Sequence, residues 1–474
     1  MLFFVFFLRF LYNNLKEELL MKHKALKITL ITLGSLVGVV ALTLATIFGY
    51  SATYSIPKQA ETIENKTGLV QARNRSLYDE SGNKIRLEGV NFGNLFLQEG
   101  WMSPLALEPK KNEDGSYVKD KDGNLQYPDF NEEQCREGLY SNPNCGKENY
   151  DEWFDYYYHA WIDDSDYQVI KDLDLNCIRI PFYWRNLLND DLTRKTEDVA
   201  FRYLDDIVSK CKEHGLYAVL DLHGAPGSQN GYEHSGEQRY GASLFTNPDY
   251  INATVDLWNY VSEHYNGTRS DLSSTIATYD ILNEPTEVFG GTTTKVVHEV
   301  YDKIYKSIRE KEDQHVITFE ACWTFDKLPN PKKYGWENVQ YEYHWYNFSH
   351  DFIPYPLYYA YQDMMNMGRN YNVPVLIGEF TYFEEKDAWK DAFDLFKKRN
   401  YSFTVWSYKV TTPGWWTSSW GILTACLNLN VETEETKCNV ATCTFDEFKA
   451  MCDKVKSDQC QKATAYEMVK NRNN

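Results

Sequence analysis

Residues 199–224 read VAFRYLDDIVSKCKEHGLYAVLDLHG. Phe201, Leu204, Ile207, Val208 and Cys211 recur at spacings of three and four, so Val199–His214 carries a single apolar stripe and predicts an amphipathic helix. The stretch Ala218–Leu222 that follows is nearly all apolar. A strand wet on one face would alternate, whereas a parallel strand covered on both faces reads as a continuous apolar run. An amphipathic helix leading into such a strand is the repeating unit of α/β architecture.

The same alternation continues in both directions. Strands are expected at Ile85–Phe92, Cys177–Phe182, Tyr217–His223, Ile276–Asn283, His315–Ala321, Val339–Tyr346, Val373–Phe380 and Ser402–Lys409. Helices are expected at Asp163–Asp174, Asp249–Tyr265, Lys295–Lys311, Phe352–Arg369 and Lys386–Arg399, besides Val199–His214. Eight strands with intervening helices predict an α/β fold of the (β/α)8 barrel class. The alternative is an open doubly wound sheet, and the lack of a Gly-rich phosphate loop after the first strand argues against its nucleotide-binding form. A long insert, Ser103–Tyr150, follows the first strand. Its two Asp-Gly turns, Asp114–Gly115 and Asp122–Gly123, predict a small hairpin walling the site.

The chain has 474 residues, 43% hydrophobic and 25% charged, which suffices for a large core and excludes disordered or collagen-like classes. Acidic residues outnumber Lys plus Arg by 68 to 49, a net charge of -19, which argues against a nucleic-acid partner. Aromatic residues reach 16%, with 36 Tyr and 13 Trp, faces on which sugars stack.

Ile28–Gly49 is an uncharged apolar run of about 22 residues, long enough to span a bilayer. Arg9, Lys16, Lys22, Lys24 and Lys27 precede it, which orients the remainder of the chain outward if the segment is an anchor. The alternative is a signal peptide starting at Met21 and cut near Gly49 or Ser51. The expected organisation is an N-terminal extension (1–27), an anchor or signal segment (28–50), a linker (51–75) and a catalytic barrel domain (76–474), with the protein at the cell surface or secreted. Sequons at Asn65, Asn74, Asn252, Asn266, Asn347 and Asn400 point the same way. Ten cysteines fit an oxidising compartment. Cys135 and Cys145 share one loop and are candidates to pair. Cys426, Cys438, Cys443, Cys452 and Cys460 crowd the C-terminus with connectivity open, and Cys177, Cys211 and Cys322 lie in apolar periodic segments as free thiols.

Reactive groups of a barrel sit at the C-terminal ends of its strands. Here those ends supply Asn91, Arg179, His223, Asn283, Glu284, Glu320, His344, Tyr346, Glu379 and Trp406. Glu284 ends the fourth strand and Glu379 the seventh, and those two strands face each other across an eight-stranded barrel. Glycoside hydrolysis uses two such carboxyl groups.

The ordered set Gly89-Val90-Asn91-Phe92-Gly93, Asn176-Cys177-Ile178-Arg179-Ile180-Pro181, Leu220-Asp221-Leu222-His223-Gly224-Ala225-Pro226-Gly227-Ser228-Gln229-Asn230-Gly231, Asn283-Glu284-Pro285, His344-Trp345-Tyr346, Gly378-Glu379-Phe380 and Trp406-Ser407-Tyr408-Lys409 resembles glycoside hydrolase family 5, most of all its eukaryotic exo-β-1,3-glucanase branch. The resemblance spans Leu87–Ile422. It implies Glu284 as acid/base and Glu379 as nucleophile of a retaining mechanism. It also implies Asn283 on the sugar 2-hydroxyl, Arg179 and Tyr346 on Glu379, and His223 and His344 lining the subsite. Trp406 is the implied aromatic floor, with Tyr408 as the alternative because the local pattern departs from the family's. Gly93-Asn94-Leu95-Phe96-Leu97 also departs from the branch's usual Gly-Gly-Trp-Leu, which leaves linkage open. Neither cofactor nor metal is implied.

Such a mechanism leads to two expectations. Glu379 is to be depressed by Arg179 and Tyr346 while Glu284 is raised by its anionic neighbour and burial. The carboxyl groups are to lie about 5–5.5 Å apart. The expected partner is β-glucan, β-1,3-linked first, for a monomer attached to a membrane if residues 28–50 are retained. Alternatives are a non-catalytic β-glucan-binding wall protein, a transglycosylase with Trp323, Trp345 or Trp415 as acceptor platform, and a hydrolase of β-1,6- or β-1,4-glucan or of a glucosylated lipid. Trp415, Trp416 and Trp420 are candidates to stack glucose at the entrance or to serve as hydrophobic lid residues.

Overall fold

The computed structural model describes residues 38–50, 55–119, 123, 125–238, 242–286, 294–321, 328–369, 371–411, 420–424, 426–427 and 436–473. Eight strands close into a barrel: β1 (Glu88–Asn91), β2 (Cys177–Tyr183), β3 (Tyr217–Gly224), β4 (Ile276–Asp280), β5 (Val316–Glu320), β6 (Val339–Trp345), β7 (Val375–Phe380) and β8 (Ser402–Val405). Every pairing is parallel and joins strands adjacent in this order. β8 closes the ring on β1 through Phe403–Glu88, Thr404–Gly89 and Val405–Val90. The expected (β/α)8 class is therefore observed, and β4 and β7 stand on opposite sides of the ring.

Parallel neighbours need crossovers, and helices supply most of them. Ahead of β2 come α1 (Glu132–Ser141), α2 (Gly146–Trp161) and α3 (Asp164–Asp172). Then follow α4 (Arg202–His214), α5 (Pro248–Glu263), α6 (Thr294–Glu310), α7 (Tyr355–Arg369), α8 (Lys386–Arg399), α9 (Phe445–Lys454) and α10 (Thr464–Lys470). The α4 stripe Leu204, Ile207, Val208 and Cys211 is buried, and the helix ends at Gly215, whose φ of 64° is left-handed. β2 and β4 are buried along their whole length. Among the described residues between β5 and β6, the only helical element is the single turn Pro331–Lys333.

The chain divides into two compact units. One comprises residues 1–57 and 347–370, in which the described elements are a helix over 38–50 and α7. The other, residues 58–346 and 371–474, holds the barrel. At the N-terminal ends of its strands, Val70, Leu77, Leu87, Cys177, Val219, Ala277 and Val316 form a buried apolar cluster. A three-stranded antiparallel sheet (Gln71–Arg73, Ser76–Tyr78, Lys84–Ile85) stands beside it. The stretch read as a linker to Arg75 thus contributes a strand and the buried Val70.

Other expectations change. In the insert, Asn112 N–H donates to Ser116 O at 2.8 Å and Val118 N–H to Lys110 O at 2.8 Å, which forms the hairpin over Asp114–Gly115. Asp122 lies outside the described residues. The insert also folds as α1 and leads into α2, which the turn signals did not announce. A capping box, Asn131 with Gln134, starts α1. Trp153, Tyr157 and Trp161 form the buried stripe of α2. Trp161 Nε1 donates to Gly93 O at 3.1 Å and fastens the insert to the loop after β1.

Cys426 and Cys460 form a disulfide. Cys135 and Cys145 are both free thiols, contrary to the expected pairing, as are Cys438, Cys443 and Cys452. Cys177 and Cys211 are buried free thiols as expected, and Cys322 lies outside the described residues. Of the expected membrane or signal segment, 28–37 is outside the described residues and 38–50 is helical. No described helix is long and apolar enough to cross a membrane. The extension 1–27 is also outside. The sequon asparagine Asn347 is buried, with its Nδ2 donating to Ile353 O at 2.8 Å.

Truncating Leu87, fully buried in the cluster under the barrel, to Ala is expected to cost about 2–5 kcal/mol. The check is a lowered urea midpoint in equilibrium unfolding.

Candidate active site

Arg179 projects from β2 into the barrel and has no exposed surface. Its Nε donates to Asp280 Oδ2 at 2.9 Å, Nη1 to Asn91 Oδ1 and Glu379 Oε1, both at 3.1 Å, and Nη2 to Asn283 Oδ1 at 3.0 Å. Asp221 Oδ2 and Glu342 Oε1 lie 3.2 and 3.3 Å from the same guanidinium. One side chain therefore ties the ends of β1, β2, β4 and β7 together.

Glu379, on β7, also accepts a hydrogen bond from the Tyr346 hydroxyl at 2.8 Å. It follows Gly378, where an added Cβ would lie 1.5 Å from Glu342 Oε1, so only glycine lets β7 pass that carboxylate. A register shift between β6 and β7, with Gly378 the extra residue between the Tyr343–Ile377 and His344–Glu379 pairs, brings His344 opposite Glu379.

Glu284 lies beyond β4 with a left-handed φ of 42°, a conformation costly for a residue with a Cβ. Its backbone N–H is held by Glu320 Oε2. The loop after β3 braces it further. Gln229 Nε2 donates to the backbone oxygens of His223 and Asn283 at 2.7 and 2.8 Å, and Asn230 Nδ2 to Glu284 O at 3.2 Å. The Ser228-Gln229-Asn230-Gly231 stretch thereby positions the acid-bearing turn.

The Glu284 carboxylate meets two imidazoles, His344 Nδ1 at 2.7 Å from Oε1 and His234 Nε2 at 3.0 Å from Oε2. One oxygen of Glu284, one of Glu379 and a His344 ring nitrogen all lie within 4.8 Å of one another. His223 Nδ1 is 2.7 Å from Asp221 Oδ2, and its ring stacks on Trp406 at 5.2 Å and 7°. The eight residues to which the resemblance assigns roles, Arg179, His223, Asn283, Glu284, His344, Tyr346, Glu379 and Trp406, are thus gathered at one end of the barrel. Tyr408, the alternative floor, is buried with its hydroxyl on Asp166 of α3 at 2.6 Å. Trp345 is buried against Phe396 and Tyr401 and offers no acceptor platform. Trp420 packs on Trp101 and Tyr346, and Trp323, Trp415 and Trp416 lie outside the described residues.

The electrostatics correct one expectation. Burial does push Glu284 upward, but the hydrogen bonds and positive charge of His234 and then His344 outweigh it and hold Glu284 well below the usual carboxylate range. Burial lowers His344, yet the carboxylates of Glu320, Glu379 and Glu284 lift it well above the usual imidazole range. Burial keeps His223 well below that range, hence neutral. Beneath the rim, burial pushes Asp221, Asp280 and Glu320 well upward.

Besides Asp280 and Glu342 under Arg179, His234 and Glu99 near the site were not read from the sequence. His234 sits in the single-turn helix Glu233–Ser235, and Glu99 in the loop after β1 accepts from Trp101 Nε1 at 2.7 Å. Both lie in irregular loops, where no period marks a residue as inward-facing. The donor sets Glu284/His344/Glu379 and Glu320/Glu342/His344 are compact enough for a metal ion. Arg179, 3.1 Å from Glu379 and 3.3 Å from Glu342, already places a fixed positive charge against both sets.

Burial raises Glu99 to about 8, against smaller lowering effects of His234 and Trp101. A carboxyl group raised in the fold binds a proton the unfolded chain has lost. Its stabilising share is therefore present at low pH and is lost as pH climbs from about 4.5 toward 8. Glu99→Gln is expected to remove that part of the slope, checked by urea midpoints between pH 5 and 8.

The sequence profile of the family Cellulase (glycosyl hydrolase family 5) matches residues 133–411. A beta-xylosidase of Phanerodontia chrysosporium is 28% identical over 363 residues, 70% of this chain and 69% of that protein. Glucan 1,3-beta-glucosidase 2 of Wickerhamomyces anomalus is 28% identical over 275 residues, 57% of each chain, so the match spans little more than half of that relative. Among solved structures, rutinosidase from Aspergillus niger shares the fold at a TM-score of 0.51 and 15% identity, covering 77% of this chain and 98% of its own. An endogalactoceramidase does so at 0.51 and 14%, covering 81% and 84%. With the family profile matching more than half of a chain that closes an eight-stranded parallel barrel around paired glutamates, the protein belongs to glycosyl hydrolase family 5.

Proposed function

We propose that the protein hydrolyses β-glucan, β-1,3-linked in the first instance, with retention of anomeric configuration. The observation that carries this reading is the spacing of the two glutamates. Oxygens of Glu284 and Glu379 within 4.8 Å of each other fit direct attack on a sugar held between them. Inversion would need about 6.5–9.5 Å to admit a water. Glu379, hydrogen-bonded by Arg179 and Tyr346, attacks the anomeric carbon. Glu284 protonates the departing glycosidic oxygen, then takes a proton from the water that releases the sugar. Asn283, fixed by Arg179, serves the 2-hydroxyl, and the Trp406 ring stacked on His223 supplies the apolar floor.

The named relatives support glucan as substrate through the glucan 1,3-beta-glucosidase of Wickerhamomyces anomalus. A second reading, a β-xyloside, is favoured by the Phanerodontia chrysosporium relative. The two substrates differ by the hydroxymethyl group on the pyranose. The complete glutamate pair with its arginine supports an enzyme over a non-catalytic wall protein. Export to the cell surface or medium, by anchor or cleaved signal, is part of the proposal. It is supported by the apolar run Ile28–Gly49, the sequons and the Cys426–Cys460 disulfide.

The test is kinetic. Glu379→Gln is expected to abolish turnover of every β-glycoside. Glu284→Gln is expected to slow hydrolysis of a β-1,3-glucan by about 10²–10⁴-fold and to slow 2,4-dinitrophenyl β-glucoside far less, because that leaving group needs no proton. Proton NMR of the first-formed sugar is expected to show the β-anomer. An α-anomer, or full turnover by Glu379→Gln, overturns the mechanism. Faster turnover of an aryl β-xyloside than of the β-glucoside selects the second substrate.

A further inference from the structure

A retaining acid/base must be protonated when the bond breaks, yet in this site two imidazoles hold the Glu284 carboxylate ionised. The geometry around His234 indicates where the proton is kept. His234 Nε2 lies 3.0 Å from Glu284 Oε2 and 2.8 Å from Asn230 Nδ2. The orientation of the Asn230 amide is fixed independently. Its Oδ1 accepts from Tyr232 N–H at 2.9 Å and its Nδ2 donates to Glu284 O at 3.2 Å, so an N–H group faces the imidazole.

Nε2 is therefore placed between a donor and a carboxylate oxygen. Protonated, it donates to Glu284 and is opposed by the Asn230 amide. Neutral, its single lone pair is open to a protonated Glu284 or to the Asn230 amide. With Glu284 as that donor, both states keep the Nε2–Oε2 hydrogen bond and differ only in which end carries the proton.

Solvent access separates the two imidazoles. The His344 side chain has no exposed surface, whereas that of His234 is 22% exposed. The Tyr232 ring stacks on His234 at 5.5 Å and 21° and holds its plane.

Resting on the assignment of Glu284 as acid/base, we propose that His234 is its solvent-side proton partner. In the resting site the imidazolium of His234 faces the Glu284 carboxylate. As the glycosidic bond breaks, the Nε2 proton passes to Oε2 and from the carboxyl group to the departing oxygen, which leaves His234 neutral and Glu284 a carboxylate. When water attacks the glycosyl-enzyme, its proton passes to Oε2 and on to Nε2. The imidazolium is restored and no proton is gained or lost over the cycle.

The charges around the pair are consistent with this resting state. Burial lowers His234, but the hydrogen bond and charge of Glu284, with smaller contributions from Glu99 of the loop after β1 and Glu233 of the same turn, raise it to about 9, with neutral His223 of β3 beside them. Glu284 in turn faces His344 of β6, Glu320 of β5 and, farther off, Asp221 of β3, Tyr346 and Glu379 of β7.

The experiment compares kcat/KM against pH for wild type, His234→Ala and His234→Gln, on a β-1,3-linked glucose disaccharide and on 2,4-dinitrophenyl β-glucoside. With His234 present, the pair keeps its proton up to about pH 9, so the disaccharide is cleaved to that limit. Without His234 the carboxyl group keeps only the enclosed His344 beside it and loses its solvent-side proton partner. The alkaline limb for the disaccharide is then expected to fall by at least one pH unit. The disaccharide-to-dinitrophenyl rate ratio at pH 8 is expected to drop at least tenfold, and added imidazole should restore it in His234→Ala. An alkaline limb that stays in place, or moves upward because His234 merely depresses Glu284, overturns the proposal. Glu284→Gln measured alongside separates the two failures, because loss of disaccharide cleavage there upholds the acid/base assignment whatever His234 does.

Discussion

The site depends on a guanidinium sealed from water. Arg179 has no exposed surface and meets carboxylates from β3, β4, β6 and β7 as well as the amides Asn91 and Asn283. Taking such charges out of water costs several kcal/mol per ion unless geometry and further hydrogen bonds offset it. Here the fork of Arg179 is almost fully used, and its contacts tie together strand ends from around the ring. Removing the guanidinium would leave Asp221, Asp280, Glu342 and Glu379 crowded without a counter-charge. The catalytic spacing and the stability of the barrel interior thus rest on the same contacts.

That interior is polar. Thr278 and Thr318 share a hydrogen bond at 2.7 Å, and Gln340 accepts from Thr318 at 3.2 Å, one layer below the carboxylates. Glu320 and Glu342 then flank His344 from below at 3.5 and 3.4 Å. The rim is supported by a second tier of acids that cannot all ionise together, which is why burial drives Asp280 and Glu320 upward. Asp221, Asp280 and Glu320 in this region are therefore biased toward holding their protons. Glu284, the one acid in it bracketed by two imidazoles, is held low.

Much of this was legible in the sequence. The continuous apolar run of Ala218–Leu222 and the stripe of α4 follow from burial on both faces and on one face, and both were found as read. Polar residues at strand ends in a barrel converge because the ring closes, so Arg179, Asn283, Glu284, His344, Tyr346, Glu379 and Trp406 met as expected. Helices α1 and α2 were hidden behind turn signals, although Asn131 and Gln134 carried a capping box. The raised state expected for Glu284 failed for a definite reason. It weighed Glu379 and burial but not His234, a residue in a one-turn helix with no periodic neighbour to point it inward.

The sequence by itself determined the alternation of strands and helices, the barrel and the identity of the paired glutamates. Side-chain period and strand order are local properties, and closure of eight parallel strands places the fourth opposite the seventh. Tertiary structure alone decided the left-handed turn at Glu284, the burial of Tyr408 and Trp345 away from the rim, the Cys426–Cys460 bond and the arrival of His234 on Glu284. Each of these depends on groups distant along the chain meeting at a few ångströms, and the energies involved are set by exclusion of water and by neighbouring charge.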